Sequence, residues 1–287
     1  MNLFTRVAIP CLLASVAWVG PAAAADYDPP LVVTADELPV EEYVPVEVGN
    51  GWYIRGDIGY DAAVSTNGGV SYRTFDSGTS TYSDSSFAIT RLGRDFSYNV
   101  GFGYQYNSFL RGDLTLSSFQ SRFDGTTTSA QPCDPAQVGT TCRSEDSSSF
   151  TALTLMANGY VDLGTFAGFT PYAGAGLGMA RVEWRGLTNS TYCVDGANAC
   201  SPTGLMGTTV HPGEASWRFS YALMGGVAYD ISKNLKLDLG YKYQWVDGDG
   251  MFGWDAASAA AGATGTQGHD SGFSSHEVRV GLRYALW

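Results

Sequence analysis

Residues 96–107 read FSYNVGFGYQYN, with Phe96, Tyr98, Val100, Phe102, Tyr104 and Tyr106 at every second position and Ser97, Asn99, Gly101, Gly103 and Gln105 between them. A period of two puts the aromatic set on one face of a strand and the small polar set on the other. The same alternation recurs in seven further segments. In 52–60, Trp52, Ile54, Ile58 and Tyr60 alternate with Tyr53, Arg55, Asp57 and Gly59. In 109–118, Leu110, Leu114 and Leu116 oppose Arg111, Asp113 and Thr115. In 151–163, Leu153, Leu155, Ala157 and Val161 oppose Thr154, Met156, Asn158 and Asp162. Segments 171–181, 217–229, 235–246 and 276–284 follow the same rule. These patterns predict eight strands with one apolar and one small-polar face.

The connectors alternate in length. Those near Asn107-Ser108, GTFAGF and DISKN are short; those at 62–94, 119–149, 184–215 and 247–274 are long and polar. Short turns at one end and long loops at the other mark an outer-membrane barrel. For apolar faces to match across a hairpin, paired residue numbers must sum to an even number. This predicts Gln105 opposite Arg111, Gly103 opposite Asp113 and Tyr229 opposite Leu235.

The fold class is therefore all-β: an antiparallel transmembrane β-barrel of eight strands, with short periplasmic turns and four long extracellular loops. Ten strands follow if 62–94 hides another hairpin, to which FAITRLG points. Leu, Val and Ile occupy the middle of the apolar faces, and Trp52, Tyr104, Tyr106, Trp217, Tyr229, Trp245 and Tyr284 crowd the ends. That is a lipid belt between two interfacial aromatic girdles. The polar faces point into a lumen that eight strands fill with side chains. Buried charges there must pair. The expected network holds Arg55, Asp57, Arg111, Asp113, Lys236, Asp238, Lys242, Glu277, Arg279 and Arg283. Closure brings Arg55 and Asp57 toward Glu277, Arg279 and Arg283. Arg-Gly-Asp occurs twice, at 55–57 and 111–113. On a strand, its Arg and Asp both point into the lumen. Its Gly lies on the lipid side, where it allows close approach of a neighbour. The tripeptide reads as a structural repeat rather than an adhesion loop.

The 287-residue chain has a net charge of −12 and only 15% charged residues. No nucleic-acid partner is expected. Residues 1–25 read as a signal peptide: Arg6, an apolar core, then Ala23 and Ala25 before the cut. Residues 26–50 form an acidic, Pro-rich segment, expected to be a disordered linker on the periplasmic side. The barrel domain is 51–287. Setting aside Cys11, four cysteines remain, Cys133, Cys142, Cys193 and Cys200. Three disulfide pairings are possible. Pairing within each loop is favoured, because each pair lies in its own polar segment. The spacing does not suit zinc, and no metal or other cofactor is expected.

The stretches GWYIRGDIGY, YNVGFGYQYN, TPYAGAGLGMA and VRVGLRYALW resemble the porin-family outer-membrane immunogenic proteins of alphaproteobacteria. Those are similar in plan to small OmpA-type barrels without the peptidoglycan-binding domain. The resemblance implies a Gram-negative outer membrane, roles in envelope integrity and surface antigenicity, and adhesion in some members. Trp287 departs from the usual end of such chains, because its parity matches the lumen face rather than Leu282 and Tyr284. Either a bulge shifts the register or Trp287 lies beyond the strand in the interface, and recognition by the outer-membrane assembly machinery is the property this departure bears on.

Three functions follow. A structural or surface-interaction barrel would act through its loops, with outer-membrane lipid, lipopolysaccharide and a host or surface ligand as partners. A small diffusion pore is the alternative. A lipid A-modifying enzyme would need a base beside a nucleophile. His211, His269 and His276 have polar neighbours but no diagnostic spacing, so no enzyme is expected.

Overall fold

The computed structural model describes residues 51–129, 140–194 and 204–286. The segments assigned above to 1–25 and 26–50, together with Cys133, Cys200 and Trp287, lie outside the described residues. In chain order the strands are β1 (Gly51–Thr66), β2 (Val70–Asp76), β3 (Thr81–Ser86), β4 (Ile89–Leu92), β5 (Phe96–Gln105), β6 (Leu110–Ser129), β7 (Thr141–Asp162) and β8 (Phe169–Trp184). They continue as β9 (Leu187–Val194), β10 (Leu205–His211), β11 (Ala215–Asp230), β12 (Leu235–Val246) and β13 (Gly250–Phe252). A short helix, α1 (Ala256–Ala260), precedes β14 (Gly268–Asp270) and β15 (Phe273–Ala285).

All pairing is antiparallel. β1 pairs with β5, β5 with β6, β6 with β7 and β7 with β8. β8 then pairs with β11, β11 with β12, β12 with β15, and β15 with β1. The register places Gln105 opposite Arg111 and Gly103 opposite Asp113. The β11–β12 hairpin differs from expectation: Tyr229 faces Leu237, not Leu235. Parity is kept, but the five-residue turn moves on by one residue. Asp230 stays in the ladder opposite Lys236, and the two side chains form an ion pair.

Four regions expected to be loops carry regular structure. β6 and β7 stay paired from Leu110↔Val161 to Ser129↔Cys142. β9 pairs with β7 and β10 with β9. The 62–94 region does contain a hairpin, β2–β3, but it joins a separate sheet in the order β13-β14-β2-β3. β4 adds to the end of β6. Polarity explains why the sequence hid these extensions. Along β6 the exposed face changes from Leu110, Leu114 and Leu116 to Gln120, Arg122 and Asp124. The opposite face changes from Arg111 and Asp113 to Phe123. On β8, Leu177 and Met179 give way outside to Arg181 and Glu183, while Val182 and Trp184 are buried. The period of two persists but its sign reverses. A strand surrounded by lipid must be apolar outside; one surrounded by water must not.

The inner surface accordingly has two halves. Near the short turns it is polar. Toward the long connections it is an apolar plug containing Phe123, Phe150, Val182, Trp184, Met251, Phe252 and Phe273. The rings interlock, with Phe150 and Trp184 at 4.5 Å, Phe150 and Phe273 at 5.0 Å, and Trp184 and Phe252 at 5.4 Å. Met251 and Phe252 come from β13, so the last long connection folds over the strands and closes that end. The expectation of a wholly polar interior is corrected here.

Candidate functional site

The polar half is built around the two Arg-Gly-Asp copies, which parity turns inward. Arg55 donates to both Asp57 oxygens, at 3.0 and 2.8 Å. Its remaining nitrogen reaches Asp113 Oδ2 at 3.2 Å and Tyr160 Oη at 3.1 Å. Asp113 also accepts from Tyr53 Oη at 3.1 Å and Asn158 Nδ2 at 2.8 Å. Arg111 donates to Asp162 at 3.0 Å and lies over the Tyr160 and Tyr172 rings, at 4.1 and 4.7 Å. These charges are nearly inaccessible, Arg55 at 5% and Arg111 at 2% exposure. Arg55 is hydrogen-bonded through all three nitrogens and escapes most of the cost of an isolated buried charge; Arg111 is paired through Nε, while Nη1 and Nη2 have no hydrogen-bond partner.

On the adjacent strands β12 and β15, Lys242 meets Glu277 at 2.9 Å, and Ser97 Oγ donates to the same carboxylate at 2.7 Å. Arg283 lies 3.4 Å from Asp238 and over the Tyr53 ring. Arg279 is buried on the same face, with Nε and Nη2 lacking a protein partner. Two expectations need correction. Lys236 is not part of this buried network: it pairs with Asp230 at the turn, with its side chain 32% exposed. Arg55 and Asp57 bond to each other, Arg55 bonds on to β6 and β7, and no ion pair joins either of them to Glu277 among the described residues. The strand facing Asp57 presents Gly281, so register denies that contact. Asp162, Tyr53, Tyr160, Tyr172 and Asn158 belong to the network without having been singled out as site residues. Their parity was the available signal.

Glycines make room for these large groups. A Cβ at Gly281 would overlap Asp57 Oδ1, and one at Gly240 would stand 2.6 Å from Tyr172 Oη. The glycine between Arg55 and Asp57 has a different situation. A Cβ at Gly56 meets nothing within 4 Å, so close neighbour approach does not explain it.

The outer surface carries Ile54, Leu114 and Val280 at 47%, 58% and 49% exposure. Trp52 stacks on Phe102 and touches Tyr104, and Tyr104 touches Tyr106, toward the short turns. Tyr229 packs on Phe169 nearby, and Tyr284 is exposed close to the chain end. Trp217 is exposed, and Trp245 stacks on Tyr221, toward the long connections. Leu235 and Trp245 are ten residues apart on β12. At about 3.3 Å per residue and a tilt near 40°, that is roughly 25 Å, the height of a lipid-facing band.

Beyond the plug, β11 and β14 are tied by Arg218 and Asp270 at 2.7 Å. Burial pushes the Asp270 carboxyl up, against the pull of Arg218. This pair uses the Asp beside His269. His276 instead contacts Tyr241 Oη at 2.5 Å. A cavity of about 330 Å³ opens in the same region. Its walls include Tyr72, Phe87, Asp146, Asn189, His211 and Phe252. Burial raises the Asp146 carboxyl and lowers His211 below its ordinary 6.5. Cys142 and Cys193 stand in register on β7 and β9.

A polar, filled inner face and an exposed apolar outer face on paired antiparallel strands define a protein that lives in lipid. The chain belongs to the outer membrane protein beta-barrel domain family, whose pattern spans residues 47–285. It is 39% identical over 288 residues to an uncharacterized protein of Brucella suis biovar 1, covering 93% of each chain. It is 28% identical over 246 residues to a candidate adhesin of Rickettsia felis, covering 84% of this chain and 90% of that one. The crystal structure of Neisserial surface protein A matches 83% of this chain and 99% of its own, at 16% identity and a TM-score of 0.43. It is an outer-membrane protein.

Proposed function

We propose that the eight long strands close a sealed barrel through the outer membrane, and that the protein acts through its loop end in surface interaction, antigenicity and envelope integrity. The observation that carries this reading is the filled interior. Between the charged half and the aromatic plug, the space left beside Lys242 and Glu277 is only about 10 Å³. That is the volume of roughly one probe-sized water. A diffusion pore needs a continuous path, and the interlocked rings of Phe150, Trp184 and Phe273 stand across it. The ring of pairings from β1 back to β1 supports eight strands rather than ten. The β2–β3 hairpin, the candidate extra pair, bonds to β14 instead.

In this reading residues 1–25 are removed and 26–50 form a periplasmic linker. The likeness to the Rickettsia felis candidate adhesin supports surface interaction. Outer-membrane lipid, lipopolysaccharide and the assembly machinery are its proposed partners, with a surface ligand at the loops. In this reading the loops carry disulfides, Cys133 with Cys142 and Cys193 with Cys200. Peptide mapping under non-reducing conditions is expected to recover these two local links. A Cys142–Cys193 link would replace them with a cross-strand one.

The test of the sealed barrel is single-channel recording of refolded residues 26–287 in a planar bilayer. Protein shown to be inserted is expected to be silent. Stable conductance steps would make it a pore.

A further inference from the structure

The cavity beyond the plug is not used by the barrel, yet it has a built interior. His211 is 8% exposed, and its Nδ1 has no hydrogen-bond partner. The ring bonds to the Gly253 backbone, whose N–H is already given to the Pro212 carbonyl. The histidine therefore donates to the Gly253 carbonyl through its other nitrogen. In the neutral ring, Nδ1 is left as a bare acceptor. Thr127 Oγ1, on another wall, is also buried and unpartnered. Buried polar atoms are normally satisfied, and both of these belong to residues that line the same cavity.

The remaining walls narrow its chemistry. Among the described residues no Lys or Arg lines the cavity, while Asp146 and Asp255 do, so an anion is disfavoured. An organic cation is not called for either. Asp146 already accepts from Asn189 Nδ2 at 2.6 Å and Ser144 Oγ at 2.8 Å. Asp255 accepts from the backbone of Ala257 and Ser258. What is left open is one acceptor nitrogen and one hydroxyl, beside the aromatic rings of Tyr72, Phe87 and Phe252. Groups that both donate and accept, on a body with an apolar face, match that set. The volume of about 330 Å³ lies at the small end of ligand pockets, about 300–1,000 Å³.

We propose that this cavity binds a neutral carbohydrate of mono- to disaccharide size, with one sugar hydroxyl donating to His211 Nδ1, a second bonding Thr127 Oγ1, and the ring face against the aromatic wall. This rests on the reading of the loop end as the surface-interaction end. The test uses the refolded chain in lipid nanodiscs, which expose both ends. Orientation in the cell therefore does not enter; labelling of intact cells examines that separately. The probes are glucose, galactose, mannose, N-acetylglucosamine, maltose and lactose, followed by saturation-transfer NMR and titration. At least one is expected to bind saturably, and at least tenfold more weakly in both His211→Phe and Thr127→Val. Thr127→Val keeps shape, and each variant is compared only if its heat-dependent gel migration is retained. Absence of binding by all six sugars overturns the proposal. So does binding unchanged in both variants, or binding of tetramethylammonium or sulfate in place of every sugar.

Discussion

The two halves of the interior fill the same space by different physics. Near the short turns, Arg55, Asp57, Asp113 and Tyr160 are fixed by hydrogen bonds of 2.8–3.2 Å. Each group there depends on the position of another, and losing one leaves a charge without its partner. Toward the long connections, Phe123, Phe150 and Trp184 fill volume without directional demands. The difference follows from the surroundings. Where the outside of the strand faces lipid, the polar residues of the alternation have only the interior to occupy. Where the outside faces water, the apolar ones do.

The same introduced residue should separate the halves. Asp113→Leu removes an acceptor shared by Arg55, Tyr53 and Asn158. Its expected cost is about 3–5 kcal/mol in urea unfolding from lipid vesicles. Phe150→Leu keeps an apolar side chain in the plug but gives up ring contacts to Phe119, Trp184 and Phe273, and should cost about 1–2 kcal/mol in the same assay. Equal losses would mean that the plug is as position-dependent as the charges.

A smaller effect is expected with pH. Burial holds His211 below its ordinary 6.5 in the folded chain, so the unfolded chain binds the extra proton first. Stability should therefore fall as pH drops below about 6.5, down through the lowered folded value. His211→Gln should flatten that part of the profile. An unchanged slope would assign it to other groups. The smallest effect is reserved for Arg143→Ala. Its bond to Glu145 is short, 2.6 Å, but both side chains are about half exposed. Such pairs contribute about 0–1 kcal/mol, screened by salt.

The membrane half was legible in the sequence because lipid imposes alternation on every strand. Arg111 and Asp113 could be assigned to one face, and Gln105 to its partner, from parity alone. The extensions of β6, β7 and β8 were not. Once their outer faces meet water, Arg122, Asp124, Arg181 and Glu183 look like loop residues. Phe150 and Trp184 carried the missing signal, standing on the parity of the polar face. Lys236 shows a different limit. Parity gave its face correctly, but not its height, and next to the turn a long side chain reaches out to Asp230. The shift of Tyr229 to face Leu237 goes with the same ion pair, a local contact that the apolar pattern does not record. The cavity beyond the plug joins residues from Tyr72 to Gly268, across several connections, and no spacing announces it.

The Arg55 cluster also bears on the time order of biogenesis. Its bonded members lie on β1, β6 and β7, between Tyr53 and Tyr160. Arg111 and Asp162 complete their own pair within the same stretch. Lys242 with Glu277 and Asp238 with Arg283 belong to β12 and β15. An N-terminal half of the chain thus contains the counterions for its most deeply placed arginines, before the last strands are needed. The two halves meet where β1 pairs with β15, and Ser97 of β5 reaches past β1 to Glu277. A chain delivered from its N-terminus can neutralise itself in instalments, leaving the backbone ladder between β1 and β15 to fasten the seam.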